Sequence, residues 1–346
     1  MRKFSKKAVT HLRSFECKRA YVDSGDNAIY IDDNKNLFVE GVGRVDGLFY
    51  AATLWNESVW AFDNKTNTTV VVGLKELNLL HRFDYYIKPL PDVSYIDSPN
   101  CLAIAENISG QYWCIVNSDN YAADNKWPIE YGINGIKVLL DSSVFLSQKD
   151  NVLSCHRLTD GEIIWQVDFN QLLDSGKGNL FDSIKILEGK IYLSLIDYTN
   201  QIQCAVICLN ITNGAIVHKW NKLSGRLSVI DKKLYVISLQ TVHVIDLENF
   251  AIDFQNYKEE LSRNEIYFKL DKCIVSKDEI LYFVNGLSIA TNRFGAIDIR
   301  SKKLLWINNI EINDGINNNI QDIQVSDTRL FIHTSDNVLH IFERNV

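Results

Sequence analysis

An apolar residue followed by an aromatic one recurs at the start of a strand-like run, as Leu48-Phe49, Val144-Phe145, Ile191-Tyr192, Leu234-Tyr235, Leu281-Tyr282 and Leu330-Phe331. From Phe145 onward the aromatic members lie 47, 43, 47 and 49 residues apart, and the first interval of 96 spans two such periods. A degenerate copy, Cys101-Leu102-Ala103-Ile104, falls inside that interval and brings the units to seven. A unit of this length, built from short strands, buries its apolar faces only by stacking on its neighbours.

The stretch from Asp182 to Trp220 shows the unit at its clearest. Ser183–Leu187 alternates as a first strand, Gly189-Lys190 turns the chain, and Ile191–Leu195 forms a second strand. Ala205–Leu209 is almost wholly apolar, as expected of a strand covered on both faces. Asn210-Ile211-Thr212-Asn213-Gly214 supplies turn chemistry before a fourth strand at Ala215–Val217. Four strands joined by tight turns and repeated seven times predict an all-β fold, a seven-bladed β-propeller of four-stranded antiparallel blades.

The third turn and fourth strand carry a further signature. Leu158-Thr159-Asp160-Gly161-Glu162-Ile163-Ile164-Trp165 places a tryptophan four residues after a turn glycine. Ile297-Asp298-Ile299-Arg300-Ser301-Lys302-Lys303-Leu304-Leu305-Trp306 repeats that spacing with lysine at the turn. Residues 245–250 and 62–67 are weaker copies. In these units the chain resembles the pyrroloquinoline-quinone-like, or quinoprotein-like, repeat family of β-propellers. That resemblance implies the fold. It brings no cofactor or catalytic residue, because the family's calcium site, catalytic aspartate and adjacent cysteines have no counterparts here. The Trp-Asp dipeptide of WD repeats is absent, which makes those propellers a weaker match.

The last unit reads as three strands, 320–325, 329–333 and 338–342, and stops before a fourth. An open edge invites pairing, so the two ends of the chain are expected to pair, with Ala28–Ile31 completing the final blade. Residues 1–27 then form a basic N-terminal segment, with Phe4, Ala8, Leu12 and Phe15 at the spacing of a short amphipathic helix, and residues 28–346 form a single propeller domain.

Composition narrows the function classes. A net charge of −7 and a pI near 5.6 give no basic footprint for nucleic acid. No apolar run has the length of a membrane span, and the N-terminus lacks a signal peptide's apolar core. Seven scattered cysteines without framework spacing suit reduced thiols in a cytoplasmic protein. Cys204 and Cys208 share one strand face, but no second Cys or His pair follows, so no metal site is expected. No phosphate loop, nucleophile elbow or dinucleotide fingerprint is present.

Two connections exceed the structural minimum. Residues 79–99 hold His81, Arg82, Tyr85, Tyr86 and Tyr95, and residues 117–135 hold Tyr121, Trp127 and Tyr131. Recognition tends to sit on long loops, and Tyr, Trp and Arg dominate binding hot spots. These eight residues are the expected protein-binding site, against the competing reading that the rings fold back on their own blades. The sequence therefore reads as a non-catalytic protein-binding propeller with a basic partner, in its narrowest form a bacterial immunity protein that blocks a toxin. The alternatives are a hydrolase or lyase with its site in the central funnel, and a scaffold subunit of a larger complex.

Overall fold

The computed structural model describes all residues except 1–8, 17–18, 23–25, 33, 91–98, 108–109, 129–136, 141–142, 158–159, 183, 201–202, 277, 287–291, 312–318 and 345–346. Among the described residues the strands group into eight antiparallel sheets. In chain order, blade 1 holds Arg19–Val22, Ala28–Ile31, Leu37–Val39 and Gly43–Val45. Blade 2 holds Phe49–Trp55, Ser58–Asp63, Thr68–Gly73 and Leu79–Phe83, and blade 3 holds Tyr86–Pro89, Asn100–Asn107, Gly110–Asn117 and Ala123–Pro128. Blade 4 holds Lys137–Leu139, Val144–Lys149, Val152–Arg157 and Ile163–Asp168. In blade 5 two short pieces, Gly178–Leu180 and Lys185–Leu187, pair with Lys190–Asp197, followed by Cys204–Asn210 and Ile216–Asn221. Blade 6 holds Arg226–Ile230, Lys233–Ser238, Thr241–Asp246 and Ile252–Asn256, and blade 7 holds Ile274–Val275, Ile280–Val284, Arg293–Asp298 and Lys303–Asn309. Blade 8 joins Ile320–Val325, Arg329–Thr334 and Val338–Arg344 to Val9–Glu16. The chain divides into two compact units, Lys18–Leu172 with blades 1 to 4, and Met1–Cys17 with Leu173–Val346, which holds blades 5 to 8.

The propeller has eight blades, which corrects the seven expected from the repeat. Leu48-Phe49 is not a copy of the later steps: Leu48 is exposed and precedes the first strand of blade 2. In blades 5 to 8 the step opens the second strand with both members buried. Val59-Trp60 holds that place in blade 2 and Ile29-Tyr30 in blade 1. Blade 1 escaped notice because it fits between Arg19 and Val45, with short strands and no turn-plus-tryptophan signature.

Closure is corrected too. The final blade takes its fourth strand from the N-terminal region, but through Val9–Glu16, which runs antiparallel to Val338–Arg344. Ala28–Ile31 is the second strand of blade 1. The segment expected to hold an amphipathic helix is thus a strand where it is described, with Leu12 at its centre; Phe4 and Ala8 lie outside the described residues. Pairing wins over helical spacing because an unsatisfied sheet edge offers a hydrogen-bond partner along the whole strand.

Within each unit, buried side chains cluster between successive sheets. Ile29, Leu37 and Val39 of blade 1 pack against Phe49, Val59 and Val70 of blade 2, and Tyr282, Val284 and Phe294 of blade 7 pack against Ile323, Leu330 and Ile332 of blade 8. The turn between third and fourth strands repeats in atomic detail. Asp63, Asn210, Asp246 and Asp298 accept from a backbone N–H two or three residues on, at 2.8–2.9 Å. Four residues after each, Asn67, Gly214, Phe250 and Lys302 have φ between +56° and +69°. Blade 4 uses Gly161 there, at +74°. Glycine is the unstrained choice for this backbone. Phe250 tolerates it while stacking on His218, with centroids 4.8 Å apart, and meeting Trp220 edge-on at 5.6 Å.

A second device follows four of these turns, those of blades 2, 4, 5 and 7. The pairing of third and fourth strands shifts register by one residue in blades 2, 4, 5 and 7. The fourth strand of blade 8 shifts against its neighbour in the same way. Such a bulge leaves one residue unpaired and interrupts the inward-outward alternation. The residue skipped is Leu80, Ile164, Val217, Leu305 and Leu12 respectively.

Candidate functional site

Among their described residues the expected long loops are largely sheet. Leu79–Phe83 closes blade 2, Tyr86–Pro89 opens blade 3 and Ala123–Pro128 closes it. Three of the expected residues meet in one aromatic seam between blades 2 and 3. His81 stacks on Tyr121, with centroids 4.7 Å apart and planes 10° from parallel. Tyr121, at φ +57°, also leans on Trp60 at 6.0 Å. Phe83 joins Trp60, His81 and Tyr85 at 5.4, 4.6 and 5.6 Å. Burial, with Tyr112 and Cys114 close by, pushes the Tyr85 phenol up to about 12. Burial also raises Tyr121, helped by Asp119.

The remaining expected residues are scattered. Tyr86 meets Phe62 edge-on at 5.1 Å, and Arg82 is exposed. Trp127 lies opposite Trp113 in blade 3's register, whereas Tyr95 and Tyr131 lie outside the described residues. His81, Tyr85, Tyr86 and Tyr121 thus each contact a ring of blade 2 or blade 3.

A cavity of about 350 Å³ lies between blades 6 and 7. Blade 6 and its third turn line one wall with Val244, Asp246, Ala251, Ile252 and Asp253, and blade 7 supplies Ile299 and Arg300. Glu279, in the turn Ser276–Glu279 of blade 7, forms part of the lining and is only 11% exposed at its side chain. It accepts from the Lys233 ammonium, from Arg300 Nε at 2.9 Å and from the Tyr235 hydroxyl at 3.2 Å. The Lys233 hydrogen bond, followed by that of Arg300, holds its carboxyl below the usual range against the opposing effect of burial. Its φ of +60° places strain beneath the cavity.

The adjacent residue reaches the other way. Asp278 Oδ2 accepts from Arg344 Nη2 of blade 8 at 2.9 Å, while Arg344 Nε donates to the Tyr282 hydroxyl at 2.8 Å. Asp278 and Glu279 therefore tie blade 7 to both of its neighbours. Sequence reasoning missed this pair because both sit in the turn before the buried step, where an acidic residue recurs as Glu188, Asp231 and Asp327, and nothing local shows which neighbouring blade it reaches. Among the described residues no group of three or more His, Cys, Asp or Glu side chains is placed to hold a metal ion.

No protein-family model matches the chain, and no curated protein matches it in sequence. Solved structures do share its fold. BamB from Moraxella catarrhalis superposes with a TM-score of 0.57 at 9% identity, covering 97% of this chain and 99% of that one. Saccharomyces cerevisiae Sqt1 gives 0.54 at 11% identity over 92% of each chain. Kluyveromyces lactis Hsv2 with loop 6CD replaced by a Gly-Ser linker gives 0.52 at 9% identity, over 81% of this chain and 86% of that one. At such identities the likeness concerns the fold alone.

Proposed function

We propose that this chain is a non-catalytic propeller that binds another protein. The observation that carries the reading is the set of bulged fourth strands. In three of them Leu79 and Leu80, Ile163 and Ile164, and Ile216 and Val217 are exposed as consecutive pairs, each residue between 41% and 56% exposed, whereas Leu304 beside the bulge of blade 7 is buried. Leu12, the skipped residue of blade 8, is 43% exposed. Solvated aliphatic pairs at one recurring position cost free energy in the isolated chain and regain it when a partner covers them.

The titratable groups support binding over hydrolysis. Among the described residues the carboxyls whose acidity is clearly displaced, Asp160, Asp197 and Glu279, all move downward, toward the ionised form. A general acid needs the opposite displacement. The net charge of −7 favours a basic partner. The narrower forms of the reading, a quinoprotein-like propeller working in the cytoplasm and an immunity protein covering a toxin, rest on the turn-and-tryptophan units and on that charge.

The test is capture. The immobilised full chain, exposed to lysate of its own source cells, should retain one protein stoichiometrically, and Leu80→Asp, Ile164→Asp and Val217→Asp should abolish retention without lowering the melting temperature. Retention unchanged in all three variants, or no retained protein with the wild type, overturns the reading.

A further inference from the structure

Resting on that protein-binding reading, we propose that the cavity between blades 6 and 7 is the anchor site for an extended segment of the partner, one that presents a carboxylate and a cation on either side of an aliphatic side chain. The two walls differ in charge. Blade 7 offers Arg300, whose side chain is 82% exposed and whose Nε is already committed to Glu279. That single bond orients the guanidinium and leaves both Nη groups without a partner among the described residues. Such an edge suits bidentate capture of a carboxylate.

The blade 6 wall offers the opposite charge. Asp246 Oδ1 is occupied by the N–H groups of Glu248 and Asn249, and Asp253 Oδ2 accepts from Gln255. Neither aspartate forms an ion pair among the described residues, because Glu279 has taken both cations of the cavity, Lys233 and Arg300. Val244, Ala251, Ile252 and Ile299 supply apolar lining between the charges.

Strand chemistry favours an extended occupant. Blade 6 lacks the bulge of blades 2, 4, 5 and 7, so Ile252–Asn256 pairs without interruption and presents a straight outer edge. Ile252 and Phe254 project from it, 47% and 51% exposed. A strand laid along such an edge gains main-chain hydrogen bonds and sends alternate side chains toward the cavity. The volume accommodates one or two side chains, which fits an anchor for part of a larger interface.

A random hexapeptide library, terminally blocked and selected on the intact wild-type chain, tests this directly. The expected enrichment is Asp or Glu and Arg or Lys flanking Val, Ile or Leu. Arg300→Gln and Asp253→Asn should each weaken the selected peptide roughly tenfold, as expected for loss of a hydrogen bond to a charged group, with Tyr198→Ala, at an exposed position outside the cavity lining, as the control that leaves it unchanged. No enrichment, enrichment of peptides with one sign of charge, or wild-type affinity in both cavity variants overturns the proposal. Both variants alter exposed groups, and their melting temperatures report whether folding is retained; if either unfolds, the milder Arg300→Lys, which keeps the charge and loses the fork, should still weaken the peptide. The two readings fail separately. Cavity variants that still capture a whole partner lost by Leu80→Asp defeat the anchor alone, whereas a wild-type chain that selects peptides but retains no protein defeats the broader function.

Discussion

Arg344 Nη2 donates to Asp278 Oδ2 at 2.9 Å, joining the third strand of blade 8 to a turn of blade 7. The arginine side chain is 2% exposed and also bonds the Tyr282 hydroxyl and the carbonyls of Ser326 and Asp327. A buried charge so fully bonded becomes a liability once a partner is lost. Arg344→Ala should destabilise the protein by about 2–4 kcal/mol, because it empties a buried site and leaves the Tyr282 hydroxyl and two carbonyls without their donor. Asp278→Asn should cost less, since that carboxylate is more than one-third exposed. Urea unfolding of both variants checks the order.

The seam between blades 2 and 3 makes its own prediction. His81 and Tyr121 stack at 4.7 Å, so a double-mutant cycle over His81→Ala and Tyr121→Ala should give a coupling of about 0.5–1.5 kcal/mol. Coupling near zero would mean that the stack contributes no more than two independent rings.

Lys302 occupies the turn position that glycine holds in blades 4 and 5, with φ +61°. The repeat itself indicates how to improve it. Lys302→Gly should stabilise the protein by about 1 kcal/mol by removing the left-handed strain. Phe250→Gly at the equivalent position should destabilise, because it forfeits the contacts with His218 and Trp220. Opposite shifts in melting temperature are the expected pair of results.

Asp197 sets part of the acid limit. The Thr199 hydroxyl, at 2.6 Å, leads a set of donors that includes Ser175 and the N–H groups of Thr199 and Asn200, and together they bring its pKa down to about 2. The unfolded chain titrates this group near 3.9, so it binds the proton more tightly than the folded chain does. The stabilisation is therefore complete above about pH 4 and is lost as pH falls toward about 2. Asp197→Asn should flatten the pH dependence of the urea midpoint across that window, read against the wild type.

Much of this fold is written in short-range pattern. The tight turns after Asp160, Asn210, Asp246 and Asp298, the buried steps at Ile191, Leu234, Leu281 and Leu330, and the three strands of the last unit could be read directly, because each depends on neighbours in sequence. Ile163-Ile164-Trp165 and Leu304-Leu305-Trp306 even carried the bulge as two consecutive aliphatics where a strand should alternate. The number of blades could not be read so, since blade 1 lacks the turn signature, and Ala28–Ile31, legible as a strand, carried no sign of which sheet it joins. The partner of Val338–Arg344 likewise depended on which distant segment reached the open edge. The candidate site belongs to the same category. His81 and Tyr121, forty residues apart, turned toward each other because blades 2 and 3 stack. Glu279 gathered Lys233, Tyr235 and Arg300 because three segments converge where blades 6 and 7 meet. Sequence determined the repeat and its turns through local backbone chemistry; tertiary structure decided the blade count, the closing strand and the charged cleft, all of which depend on contacts between segments far apart in the chain.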